Sequence, residues 1–117
     1  MKIVSKLPII IIFLLLESNS FAGKPAARQT DTTSGGGTIV RGSPTVLINN
    51  KSAARLGDAI ITPRVVVLVP CVGGAIFQGS PTVLINNLPA ARVGDLASTV
   101  CGPETIVKGS PNVQIGN

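Results

Sequence analysis

The sequence predicts an all-β domain of short strands and hairpins with approximate threefold internal symmetry, and three observations carry that prediction. Nine residues, Gly-Ser-Pro-Thr-Val-Leu-Ile-Asn-Asn, occur at Gly42 to Asn50 and again, letter for letter, at Gly79 to Asn87. A looser copy, Gly-Ser-Pro-Asn-Val-Gln-Ile-Gly-Asn, runs from Gly109 to Asn117. Such identity in so short a chain does not arise by chance, so a structural unit has been duplicated. Three copies imply either threefold symmetry or three rungs of a stack. The run Thr-Val-Leu-Ile inside each full copy is β-branched and apolar, as a strand requires. After residue 22, Gly and Pro punctuate at intervals too short for a helix.

Residues 1–22 read as a secretory signal: Lys2 and Lys6, then the apolar stretch Leu7 to Leu16, then a polar segment ending Ser20-Phe21-Ala22. About ten apolar residues at roughly 1.5 Å each fall short of a hydrocarbon core of about 30 Å. A cleaved signal helix is therefore expected rather than a stable membrane span, with an uncleaved apolar anchor as the alternative. Cleavage after Ala22 leaves residues 23–117 as one small domain.

Within each unit, Pro44, Pro81 and Pro111 fix φ and lack an N–H, which suits the start of a strand. Asn49-Asn50 and Asn86-Asn87 sit where a tight hairpin turn falls, because Asn tolerates the left-handed region. A second arm follows, Lys-Ser-Ala-Ala-Arg-Leu-Gly-Asp at Lys51 to Asp58 and Leu-Pro-Ala-Ala-Arg-Val-Gly-Asp at Leu88 to Asp95. Each unit is thus a β-hairpin. Lys24 to Asp31 is a third version of that second arm, standing first in the chain. Thr32 to Gly37 reads as a flexible polar loop, and Thr38-Ile39-Val40 as a strand matched later by Ala75-Ile76-Phe77 and Thr105-Ile106-Val107. Of the connections between units, Arg55 to Gly79 is the longest. Its excess, Arg64 to Cys71, contains five consecutive apolar residues and suggests an extra strand or a buried loop.

Composition excludes several functions. From Gly23 onward eight Lys/Arg face four Asp/Glu, spread thinly, which is not the footprint of a nucleic-acid binder. Phe77 is the one aromatic residue after the N-terminal segment, so bases have nothing to stack on. There is no His, which removes the commonest general base and metal ligand. Gly35-Gly36-Gly37 is followed by neither Lys-Ser/Thr nor a helix, so it reads as a plain loop and not a phosphate cradle. With no Ser/Lys or paired-carboxylate constellation at recognisable spacing, no enzyme activity is expected.

Pro-Ala-Ala-Arg at Pro25 to Arg28 and Pro89 to Arg92, Ser-Ala-Ala-Arg at Ser52 to Arg55, and the three Gly-Ser-Pro triplets at Gly42-Ser43-Pro44, Gly79-Ser80-Pro81 and Gly109-Ser110-Pro111 resemble the PAAR-repeat family. The resemblance covers nearly all of Lys24 to Asn117. It implies a small pointed cone with pseudo-threefold symmetry that caps the trimeric valine-glycine-repeat spike of a type VI secretion machine or contractile phage tail. It implies further that an effector or adaptor rides on the ends of the tip; with Asn117 last, none is expected to be fused there. A threefold partner suits three hairpins, because one surface pattern is then used three times. A signal peptide sits awkwardly with a spike loaded in the cytoplasm. The alternatives are a diverged, exported PAAR-like interaction module of the periplasm or exterior, and a small secreted metal- or ligand-binding protein.

The resemblance also implies an apex zinc ion held by several His and a Cys. Here the Thr33 to Gly36 loop stands where a His commonly occurs, Cys101 matches a family Cys, and Cys71 lies in the preceding connection. Two thiolates fall short of the four ligands of structural zinc, so no cofactor is expected. Two readings stand for Cys71 and Cys101: a disulfide across the apex of an exported chain, or two reduced, buried small residues. A bridge closing about 31 residues contributes roughly 3 to 4 kcal/mol in the chain-entropy account. Arg28, Arg55 and Arg92 each precede an aspartate by three residues, Asp31, Asp58 and Asp95. They are expected either as structural ion pairs at the hairpin ends or as contacts to carboxylates on the blunt end of a spike.

Overall fold

The computed structural model describes residues 23–116 together with residues 2–3 and 10–11. The remainder of 1–22, on which the expected signal helix depends, lies outside the described residues.

In chain order the strands are β1 (Lys2–Ile3), β2 (Ile10–Ile11), β3 (Lys24–Pro25), β4 (Thr38–Ile39) and β5 (Val46–Ile48). Then come β6 (Lys51–Ser52), β7 (Ala59–Ile61), β8 (Val65–Val66), β9 (Val69–Pro70) and β10 (Gly73–Ile76). The last are β11 (Leu84–Ile85), β12 (Leu88–Pro89), β13 (Leu96–Thr99), β14 (Gly102–Thr105) and β15 (Gln114–Ile115). The described residues contain no helix.

These strands make two storeys. The lower holds the repeat hairpins, β5 against β6 and β11 against β12. Their turns are Asn49-Asn50 and Asn86-Asn87, all four at positive φ between 53° and 67°, the geometry that two-residue hairpin loops demand. The third hairpin is assembled from the two ends of the domain: β15 pairs antiparallel with β3, Gln114 opposite Pro25 and Ile115 opposite Lys24. The second arm that stands first in the chain thereby finds its first arm at the other terminus. β2 and β1 run parallel beside β5 and β11.

The upper storey is one antiparallel five-stranded sheet in the order β14-β13-β10-β7-β4. It curls until its edges meet, since the Ser34 N–H donates to the Thr105 carbonyl at 2.8 Å and the Val107 N–H to the Thr32 carbonyl at 2.9 Å. Sequence places two strands, or their equivalents, from each repeat in this ring.

Between the storeys run the three Ala-Ala pairs. The Ala27 N–H donates to the Ala91 carbonyl, Ala91 to Ala54, and Ala54 back to Ala27, each at 3.0 Å. This closed triangle of equivalent bonds requires rotation about a common axis and eliminates a linear stack. Three backbones meeting at hydrogen-bond distance leave room for a methyl group and little more, and Ala26, Ala27, Ala53, Ala54, Ala90 and Ala91 are all buried. The core divides accordingly. Val46, Val83 and Val113 pack with Ile48, Ile85 and Ile115 below. Ile39, Ile76 and Ile106 pack with Ile60 and Ala97 above. The Val, lower Ile and upper Ile39/Ile76/Ile106 sets each recur once per repeat, so the apolar periodicity of the sequence is the periodicity of the core.

Candidate functional site

The Gly-Ser-Pro triplet is a joint between repeats. Each serine hydroxyl oxygen accepts two following backbone N–H groups: Ser43 from Thr45 and Val46, Ser80 from Thr82 and Val83, Ser110 from Asn112 and Val113, at 2.8 to 3.2 Å. The hydroxyl hydrogen then reaches the neighbouring unit, from Ser43 to Asn86 Oδ1, from Ser80 to the Gly116 carbonyl and from Ser110 to Asn49 Oδ1. Glycine is obligatory before the serine. A Cβ on Gly79 would stand 2.8 Å from the Pro89 side chain and 2.9 Å from its carbonyl oxygen. The prolines lie in the bend just ahead of the strand, not at its first residue.

The repeated arginines and aspartates form three bidentate pairs, those of Arg28 and Arg92 buried and that of Arg55 part-buried. Arg28 Nε and Nη2 donate to the two carboxylate oxygens of Asp31 at 2.9 and 3.0 Å, and its backbone N–H donates to Asp31 Oδ2 at 2.8 Å. Arg55 with Asp58 and Arg92 with Asp95 repeat this. The spare nitrogens bind adjoining units: Arg28 to Asn49 Oδ1 and the Gly109 carbonyl, Arg55 to Asn86 Oδ1 and the Gly42 carbonyl. Of the two roles open to these arginines, the geometry is that of structural pairs within the chain.

Burial gives the surface one sign of charge. Asp31, Asp58, Asp95 and Glu104 are all buried, whereas Lys24, Arg41 and Lys108 are exposed and Lys51 and Arg64 half-buried. Among the described residues, no exposed carboxylate opposes them.

At the loop end of the curled sheet the three inter-repeat connections are tied together. Thr33 Oγ1 donates to Glu104 Oε1 at 2.5 Å and accepts from the Gly37 N–H at 2.9 Å. Thr62 Oγ1 donates to the Gly35 carbonyl at 3.1 Å. Gly35 passes so close to the Glu104 carboxylate that a Cβ would collide with it. The glycine run is thus shaped around a buried carboxylate, which the sequence reading did not single out. A signal existed: Glu104 is the one acidic residue after Gly23 that does not follow an arginine by three positions.

Cys71 and Cys101 are joined in a disulfide, with Cα atoms 5.1 Å apart. It ties the second connection to the turn between β13 and β14. The long second connection is an exposed hairpin, β8 against β9, so of the two readings of Arg64 to Cys71 the structure takes the added strands and not the buried loop.

The side chains that an apex zinc ion could draw on are engaged with one another. Both thiols are consumed in the disulfide, and Glu104 already accepts from Thr33. No group of three or more His, Cys, Asp or Glu side chains converges among the described residues.

A closed threefold ring of repeats, each jointed by Gly-Ser-Pro and pinned by an Arg–Asp pair, defines a symmetric β-repeat protein whose three units are made by one chain. The family model described as PAAR motif matches it three times, over residues 16–61, 29–72 and 68–117, and the chain belongs to the PAAR-motif family. Comparison with curated proteins found no match.

Proposed function

We propose that this chain is a cone-shaped tip that caps a trimeric valine-glycine-repeat spike of a type VI secretion machine and sharpens it for puncture of a target envelope. The observation that carries the reading is the hydrogen-bonded triangle of Ala27, Ala54 and Ala91. One chain with a threefold axis can meet three identical spike chains with three equivalent contacts, and the mismatch of one chain against three disappears. The hairpin end is the docking face, and the loop end, braced by the disulfide and the Thr33–Glu104 pair, is the leading point. The role is structural, and no catalytic step is assigned.

The test is native mass spectrometry of the full chain mixed with the purified spike trimer. One chain per three spike chains is expected. No complex, or three chains per trimer, defeats the reading. Lys24 and Lys51 occupy equivalent places in two of the hairpins, so K24E/K51E is expected to weaken the complex while leaving the fold intact.

A second reading, an exported PAAR-like module acting in the periplasm or outside the cell, is favoured by the disulfide, since such bonds persist in oxidising compartments. N-terminal sequencing of the protein from its host separates the two. Gly23 as first residue supports export, and intact Met1 supports loading in the cytoplasm.

A further inference from the structure

The second connection departs from the threefold pattern in a way that the spike-cap reading does not use. Between Arg64 and Cys71 the chain leaves the curled sheet as a two-stranded ribbon, Val65 opposite Pro70 and Val66 opposite Val69. Its turn residues, Val67 and Leu68, are 88% and 93% exposed, and Val65, Val66 and Val69 are exposed as well. Val72 and Val100 extend the bare apolar surface on either side of the disulfide. Val67 and Leu68 also have φ of +47° and +66°. A β-branched residue resists that region, and an Asn-Gly pair would satisfy the turn without strain. The chain therefore holds its two most exposed large apolar side chains on a backbone that costs stability. An isolated two-stranded hairpin is marginal in water, and here the disulfide at Cys71 clamps its neck.

We propose that this hairpin is a lipid-insertion finger that enters the apolar layer of an anionic bilayer. A protein partner would offer a groove for one face, but this ribbon is bare on both faces and at its tip, which suits immersion in a fluid. Its two strands pair with each other, Val65 opposite Pro70 and Val66 opposite Val69, which lowers the number of backbone groups that an apolar layer would leave without a partner. Charge complementarity selects the lipid: half-buried Arg64 at the neck of the finger is cationic, Arg41 and Lys108 are exposed outside the repeat hairpins, and no carboxylate among the described residues is exposed to repel an anionic surface. The proposal stands apart from the spike reading, since it concerns the chain alone.

The chain has no Trp or Tyr, so a single introduced tryptophan reports on its own position. In the full chain, L68W places it at the tip. F77W places it just beyond Ile76, past the end of β10 that is far from the neck. Each is mixed with vesicles of phosphatidylcholine and phosphatidylglycerol, with and without acyl-chain bromination. The L68W emission is expected to move to shorter wavelength and to be quenched by the brominated lipid, while F77W is unaffected. Adding V67D to L68W is expected to lower the quenched fraction at least about tenfold, because a charge replaces an immersed apolar side chain. Binding through the N-terminal segment alone would leave position 68 unquenched and overturn the proposal. So would equal quenching of L68W and F77W, or of L68W with and without V67D. A dimer in analytical ultracentrifugation that V67D dissolves, without quenching of L68W, would reassign the finger to self-association and overturn it too.

Discussion

Thr30 shows how much a single position decides. The turn that closes each Arg–Asp pair needs a left-handed residue; Gly57 and Gly94 supply it at φ of +92° and +97°, whereas the first repeat uses Thr30 at +80°. An L side chain in that region costs about 1–2 kcal/mol, so T30G is expected to raise stability by roughly 1 kcal/mol, seen as a higher guanidinium midpoint. G79A should act the other way by about 1–3 kcal/mol, because its Cβ meets the backbone and ring of Pro89 with nothing free to yield. Removing Arg28 leaves Asp31, wholly buried, with an unanswered charge. R28A is expected to cost about 3–5 kcal/mol, and R28K to restore little, since an ammonium cannot supply the fork that binds both oxygens. Chemical denaturation of the four variants checks all of this. The Arg–Asp spacing was legible as a repeat from the sequence, but its spare bonds to Asn49 and Asn86 were not, because those residues lie in other hairpins.

At the scale of the element, the hairpins and the finger are opposites. The repeat hairpins turn on asparagines suited to positive φ and bury Val and Ile inward. The finger turns on residues ill suited to it and buries almost nothing. Its order is expected to depend on the bridge at its neck. Reduction, or C71A/C101A, is expected to lower stability by about 3–4 kcal/mol in the chain-entropy account. Amide exchange should localise the effect, with residues 65–69 losing protection well before the repeat hairpins. The apolar run at Val65 to Val69 was visible in the sequence as an addition to the repeat, yet its exposure was not. Periodicity separates strand from helix, but five apolar residues in a row read alike whether covered or bare.

For the whole molecule, closure is the governing fact. The last strand pairs with the first of the domain, and the curled sheet joins edge to edge, so neither storey leaves a complete unit unpartnered. Deleting the residues after Val113 is therefore expected to damage more than its local hairpin. β3 loses its partner, Ser80 loses its acceptor at Gly116, and the lower core loses Ile115. Loss of cooperative thermal unfolding, rather than a small shift of its midpoint, is the expected reading.

The amino-acid sequence by itself determined the repeat, the turns and the all-β class, because these follow from identities and local backbone preference. It also sufficed for the family, through triplets whose spacing is covalent. Tertiary structure alone decided that the copies close round an axis, that Glu104 lies under the glycine loop, that the two cysteines meet, and that the valine finger stands in the open. Each of those is a relation between residues far apart in the chain, and proximity in space is set by packing and hydrogen bonding between repeats, which no local preference encodes.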